Sequence, residues 1–261
     1  MAARSAVAGA IDQRAGQDPP PTAAAEAAQV RKPDGLNCTD VHEATTTMNV
    51  FAVRARALSW CWLFLASLGA SAVPDFYRTL SSTHGLLPDP TPEAFSVCYE
   101  HSCKEVAEVG LSPAQWQAVR QIFDPPAADA AAERELIRQA LAYLESVVSP
   151  LVGAAGDRGG NLAGLISGGS QMDCVDESTN TTTYLALIER EGLLQWHRVA
   201  GLSTRGFIIF GWPHTTAVIE QREDGARWAV DSWFHDNAVA PEVLPIAQWK
   251  KGWSPAGFAG F

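Results

Sequence analysis

Positive charge is scarce in this chain: 19 Lys and Arg stand against 29 Asp and Glu, a net charge of −10. A nucleic-acid surface needs clustered Lys and Arg, so nucleic acid is excluded as a partner, and an anionic membrane surface is disfavoured for the same reason. Cysteine and histidine are also sparse, and neither C-x-x-C nor H-x-x-H occurs. The closely spaced ligand pairs of structural zinc sites are therefore missing. The glycine-rich stretch 153–170 lacks a Gly-Lys-Ser/Thr ending, and no strand leads into it. It is not a phosphate cradle, and reads as a loop that lets the chain pass close to something, such as one wall of a cleft. No internal repeat is found. No apolar run approaches the ~20 residues needed to span a bilayer.

What is present suits a globular protein. Hydrophobic residues make up 47% of the 261, enough for a substantial core in one domain with an appendage. The appendage is the N-terminus. Residues 1–47 are rich in Ala, Pro, Gln and Asp without an apolar period. They read as a disordered leader or an over-extended reading frame ahead of a start at Met48. From Met48 the pattern changes: Arg54 and Arg56 precede an apolar stretch from Leu58 to Leu68, and Ala70-Ser71-Ala72 follows. Basic region, apolar stretch and small-residue cleavage pattern make 48–72 a secretory signal peptide, with an uncleaved anchor as the alternative. The expectation is a periplasmic or secreted protein with no membrane span after cleavage.

An oxidising compartment gives the cysteines meaning. Once the leader is set aside, Cys98, Cys103 and Cys174 remain. Cys98 and Cys103 are close enough to close a small disulfide loop. Cys174 is left over, and an odd cysteine in an exported chain is either a reactive thiol or a buried inert one.

Residues 73–170 read as an N-terminal part with two helices and a small hairpin. Val73 to Pro92, with four prolines, should be irregular. Phe95–Glu100 and Lys104–Leu111 are short strands joined at the cysteine pair. Ser112-Pro113-Ala114-Gln115 is a helix start, with a capping Ser, Pro at the first helical position and Gln three residues after the cap. Asp124-Pro125-Pro126 ends that helix. Ala127 to Val152 forms an amphipathic helix, with Glu133, Arg134, Glu135 and Arg138 as its solvated face.

Residues 171–261 carry the chemistry. Asp173 can cap a helix, with Asp176 as its capping-box partner, Tyr184, Leu185, Leu187 and Ile188 as the apolar face, and Gly192 as the stop. Cys174 then sits on the first turn, where backbone N–H groups and the helix dipole stabilise a thiolate and lower the thiol pKa. Asp173 and Asp176 oppose this, so an imidazolium must outweigh them. Strands are expected at Trp196–Ser203, Phe207–Trp212, His214–Gln221 and Arg227–Trp233, with a turn at 223–226. His214 opens one strand and Asp231 lies on its neighbour. A two-residue turn at Asp224-Gly225 pairs Asp231 with Val218; a four-residue loop from Gln221 to Asp224 pairs it with His214. Both registers put the two side chains on one face. If they meet, Asp231 fixes the His214 tautomer and the other ring nitrogen takes the Cys174 proton. The Cys174 N–H is an oxyanion donor, and Gln171 is a candidate second donor. His197 and His235 are spare candidates for the base.

Asp173-Cys174-Val175-Asp176, His214-Thr215-Thr216-Ala217-Val218 and Trp228-Ala229-Val230-Asp231, spaced by forty and then seventeen residues, resemble the bacterial transglutaminase-like cysteine proteinases of the papain-related superfamily. The resemblance covers 173–233. It implies an α+β fold: N-terminal helices, then a Cys-bearing helix packed on an antiparallel sheet. It also implies acyl chemistry on an amide of a protein or peptide by a Cys174–His214–Asp231 triad. Some relatives bind calcium through acidic residues beside the Cys. Here Val175 stands where an acidic residue is common, leaving Asp173 and Asp176, and no other cofactor is implied. Two alternatives remain open: a non-catalytic binding module on this scaffold, with the tryptophans at 116, 196, 212, 228, 233, 249 and 253 as contact or packing residues, and a Cys174/His214/Asp231 metal site.

Overall fold

The computed structural model describes residues 75–160, 171–206 and 213–258. The expected leader, signal peptide, second half of the glycine-rich stretch and 207–212 strand lie outside the described residues.

The described chain is mixed α+β, as the sequence predicts. Its order is α1 (Asp75–His84), β1 (Phe95–Tyr99), β2 (Glu105–Val109), α2 (Pro113–Ile122), α3 (Ala130–Val148), α4 (Cys174–Arg190), β3 (His197–Arg205), β4 (His214–Gln221), β5 (Arg227–Asp231), β6 (Glu242–Pro245) and α5 (Ile246–Trp249). A 3₁₀ turn, Ser149–Val152, extends α3. β1 and β2 form an antiparallel hairpin, and β3-β4-β5-β6 form an antiparallel sheet in that order. The Cys-bearing α4 packs on β4 and β1.

Local chemistry explains most of these boundaries. Ser112 and Gln115 make the reciprocal capping box of α2, and Asp173 and Asp176 make that of α4. Gly192, with φ of 72°, takes the left-handed position just past α4. α1 departs from expectation. The prolines after it (88, 90 and 92) lie outside the helix, while Tyr77 and Leu80, three apart, bury against the body.

α4 is buried on every side from Asp176 to Ile188, not along one apolar stripe. This explains the run Thr181-Thr182-Thr183. These short side chains let the hairpin and sheet approach closely, and their hydroxyls are satisfied locally. Thr182 Oγ1 donates to Ser178 O at 2.7 Å, Thr183 Oγ1 donates to Thr179 O at 3.0 Å, and Thr181 Oγ1 pairs with Ser232 Oγ at 3.0 Å.

The solvated face expected on α3 is corrected at Glu133, which is buried. Its carboxylate accepts the backbone N–H groups of Gln195, Trp196 and His197 and pairs with His197 Nδ1 at 2.9 Å. Arg134 is also engaged: it lies 3.7 Å over the Trp228 ring and bonds His197 Nε2 at 3.2 Å. Glu135 and Arg138 form the surface ion pair that helical spacing predicts.

Candidate active site

The sheet brings His214 and Asp231 together in a register between the two considered. Ala217 pairs with Val230 and Glu220 with Arg227, which sets Asp231 diagonal to His214. The side chains share a face, and the imidazole is long enough to close the diagonal. His214 Nε2 and Asp231 Oδ2 are 2.7 Å apart, and both residues are buried. Asp231 Oδ2 also accepts the Trp249 indole N–H at 2.6 Å. Rings surround the imidazole: the centroids of Trp233, Phe234 and Trp249 lie 4.6, 5.3 and 5.5 Å away.

Cys174 is a free, partly exposed thiol at the start of α4. Its sulfur lies 4.0 Å from the carbonyl oxygen of Pro213, and the backbone N–H of Thr215 points to it. It therefore sits against the main chain on both sides of His214. His214 Nδ1, the nitrogen not used by Asp231, is buried and makes no hydrogen bond. The thiol thus packs against the backbone that flanks His214, with no hydrogen bond to the imidazole; catalytic contacts often tighten only on substrate binding.

The thiol's electrostatics run opposite to the helix-start expectation. Burial pushes Cys174 up to about 11, and the charges of Asp173 and Asp231 add to it; the N–H groups of Thr215 and Cys174 oppose it but are outweighed. A thiolate at neutral pH thus requires an imidazolium beside it.

The flanking acids serve the scaffold. Asp173 Oδ1 accepts the N–H groups of Val175 and Asp176, and its Oδ2 accepts the Ser102 hydroxyl. Asp176 accepts the N–H groups of His101, Cys103 and Asp173. Residues Glu100 to Cys103 all have positive φ, between 54° and 65°. That turn aims its N–H groups inward at Asp176, and the Cys98–Cys103 disulfide closes it. Asn180 completes the clamp by accepting the Cys98 N–H and donating to the Cys98 carbonyl. Burial, reinforced by Asp173, pushes the Asp176 carboxyl up to about 7 despite these donors.

All four carboxylate oxygens of Asp173 and Asp176 thus take protein hydrogen bonds. Among the described residues, the one compact group of metal-type ligand atoms is Cys98, Cys103 and Asp176, and its two sulfurs are bonded to each other.

Gln171 reaches the 156–158 loop. Its amide donates to Gly156 O at 3.0 Å and accepts from Arg158 N at 3.1 Å. The described part of the glycine-rich stretch does pass close to something: a Cβ on Gly159 would lie 2.4 Å from the His235 backbone, and Gly160 N donates to Trp233 O at 2.6 Å. The spare histidines are engaged elsewhere, His197 with Glu133 and His235 with Glu242.

Two features of the site gave no sequence signal. One is the Trp249 bond to Asp231. The other is a set of buried acids behind α4: Glu145, Asp157 and Glu177. Asp157 accepts the Met172 N–H at 2.8 Å and bonds Glu177, Glu177 accepts from Ser232, and Glu145 accepts from Ser149. Burial pushes these carboxyls up, Glu145 to about 7 and Asp157 to about 6, with Glu177 well above the usual range, and neighbouring acids add to the rise at Glu145 and Glu177. Through Asp157 and Glu177 they tie the chain before Cys174 to Ser232, just after Asp231.

No protein family, curated protein or solved structure matches this chain.

Proposed function

We propose that this chain is an exported, thiol-dependent acyl-transfer enzyme acting on an amide of a protein or peptide, as peptidase, amidase or transamidase. In this reading Cys174 attacks the carbonyl carbon and expels the amine, leaving a thioester. His214 takes the thiol proton through Nδ1 and returns it to the leaving nitrogen. Asp231 orients the ring through Nε2, and the Cys174 N–H faces the developing oxyanion. Water or a second amine then takes the acyl group. The transglutaminase-like resemblance supports this order of Cys, His and Asp. The observation that carries the reading is the buried 2.7 Å His214–Asp231 bond, with Nδ1 uncommitted and a free thiol at a helix start packed against the main chain that flanks His214.

The test is acylation by p-nitrophenyl acetate followed by intact mass measurement. The expected result is one acetyl group on Cys174, absent in Cys174→Ala and formed ~100-fold more slowly in His214→Ala. Equal labelling of the protein with and without His214 would reject the enzyme. The high thiol pKa and the lack of a thiol–imidazole hydrogen bond favour one second reading, a binding module on the same scaffold. It predicts that Cys174→Ala retains the wild-type cellular phenotype.

A further inference from the structure

Trp249 is the last residue of α5, and β6 feeds α5 directly. β6 in turn pairs with β5, matching Glu242 to Asp231 and Leu244 to Ala229. The strand that carries the carboxylate is thus hydrogen-bonded to the strand that delivers the indole. Trp249 is wholly buried, its N–H reaches Asp231 Oδ2 at 2.6 Å, and His214 Nε2 reaches the same oxygen at 2.7 Å. Two donors on one oxygen hold the carboxylate against rotation about its terminal torsion, which is otherwise soft. The indole is itself held: Arg205 lies 4.4 Å over its ring and donates to its backbone carbonyl. Arg205 pairs with His214 across β3 and β4 and faces Asp231 electrostatically.

We propose that Trp249 is a positioning residue for the thiol chemistry, fixing the Asp231 carboxylate and through it the His214 ring that must meet Cys174. This rests on the acyl-transfer reading above. The indole N–H is the working part, and the ring's packing against Ala229 and Leu244 is separable from it. The charged and titratable groups around His214 are Asp231 on β5, Arg205 on β3 and Cys174 on α4.

The test is a double-mutant cycle on the rate of iodoacetamide alkylation of Cys174, with Trp249→Phe keeping a ring and removing the donor. Trp249→Phe should slow alkylation about tenfold in the native background, as expected for one lost charge-assisted hydrogen bond, and less than twofold in an Asp231→Ala background. A similar loss in both backgrounds overturns the proposal, because packing then accounts for it. No loss in either also overturns it. His214→Ala controls for the underlying reading. If alkylation is indifferent to His214, the thiol–imidazole reading fails. If it depends on His214 but not on Trp249, only the present inference fails.

Should Trp249→Phe not fold, the unmutated indole gives the answer by NMR. The Trp249 Nε1–H signal should lie downfield and exchange slowly in the wild type, and lose both properties in Asp231→Ala. An ordinary indole signal in the wild type would overturn the proposal.

Discussion

Two buried histidine–carboxylate pairs sit on the same sheet, and they differ in what is left over. At His197, Nδ1 pairs with Glu133, Nε2 meets Arg134, and the Glu133 oxygens take three backbone N–H groups besides. The side-chain polar atoms of that pair are all bound, and among the described residues the one free thiol is Cys174, at the start of α4. At His214, Nε2 pairs with Asp231, while Nδ1 is buried without a partner and Cys174 packs against the flanking Pro213 carbonyl. A histidine bound at both ring nitrogens fixes structure; one bound at a single nitrogen keeps a site for a proton. The carboxylates differ in the same way. Burial works against the Glu133 charge, but the His197 ring and the backbone donors outweigh it and hold its carboxyl below the usual range. Asp231 receives two side-chain donors on one oxygen.

The largest expected effect comes from breaking the closed pair. Glu133→Ala should cost about 3–5 kcal/mol, because it leaves a buried imidazole and three backbone N–H groups unmatched. Urea denaturation measures it, and a loss under 1 kcal/mol would remove the structural role. Breaking the open pair should do the reverse. His214→Ala should slow Cys174 acylation ~100-fold with little loss of stability, while His197→Ala should destabilise the protein and leave the rate per folded molecule within about twofold.

Acid titration separates the carboxylates by sign. The Glu133 contribution is present above its unfolded pKa and disappears as pH falls through its depressed folded value. The Glu145, Asp157 and Glu177 set behaves oppositely. Its protons are held more tightly folded than unfolded, so the Glu145 and Asp157 contribution is complete below about pH 3.8 and is lost as pH rises through about 6 to 7, and the Glu177 contribution is lost at higher pH. Urea midpoints should fall over that upper window, and Glu145→Gln should flatten the fall; an unchanged slope would contradict the buried-acid assignment. The smallest effect is expected from Arg134→Ala, which leaves His197 Nε2 as uncommitted as His214 Nδ1. It should cost about 1 kcal/mol, measured the same way.

What the sequence made legible was local or chemical. Both capping boxes follow from residues three apart, the Cys98–Cys103 loop from their spacing, and the Cys174, His214 and Asp231 candidates from their order and element types. What it hid depends on distant partners. Glu133, Arg134, Glu135 and Arg138 look alike along a helix, and only the backbone at 195–197, more than sixty residues on, distinguishes Glu133. Asp157 and Glu177 look like ordinary acids until folding buries them together. The strand register was undetermined because each slip of two residues preserves the face on which His214 and Asp231 lie, and the observed pairing falls between the two considered. α1 was missed because the neighbouring prolines outweighed a short apolar pattern, and Trp249 because nothing in its own segment marks an indole N–H that a remote carboxylate will use.

The most direct measurement is the pH dependence of Cys174 alkylation by iodoacetamide, in the wild type and in His214→Ala. Burial, with the charges of Asp173 and Asp231, pushes this thiol up to about 11. The wild type should therefore react appreciably near neutral pH, through a thiolate stabilised by the imidazolium, and His214→Ala should become reactive only toward that high value. Coincident curves for the two proteins would mean that the imidazole does nothing for the sulfur, and would contradict the account.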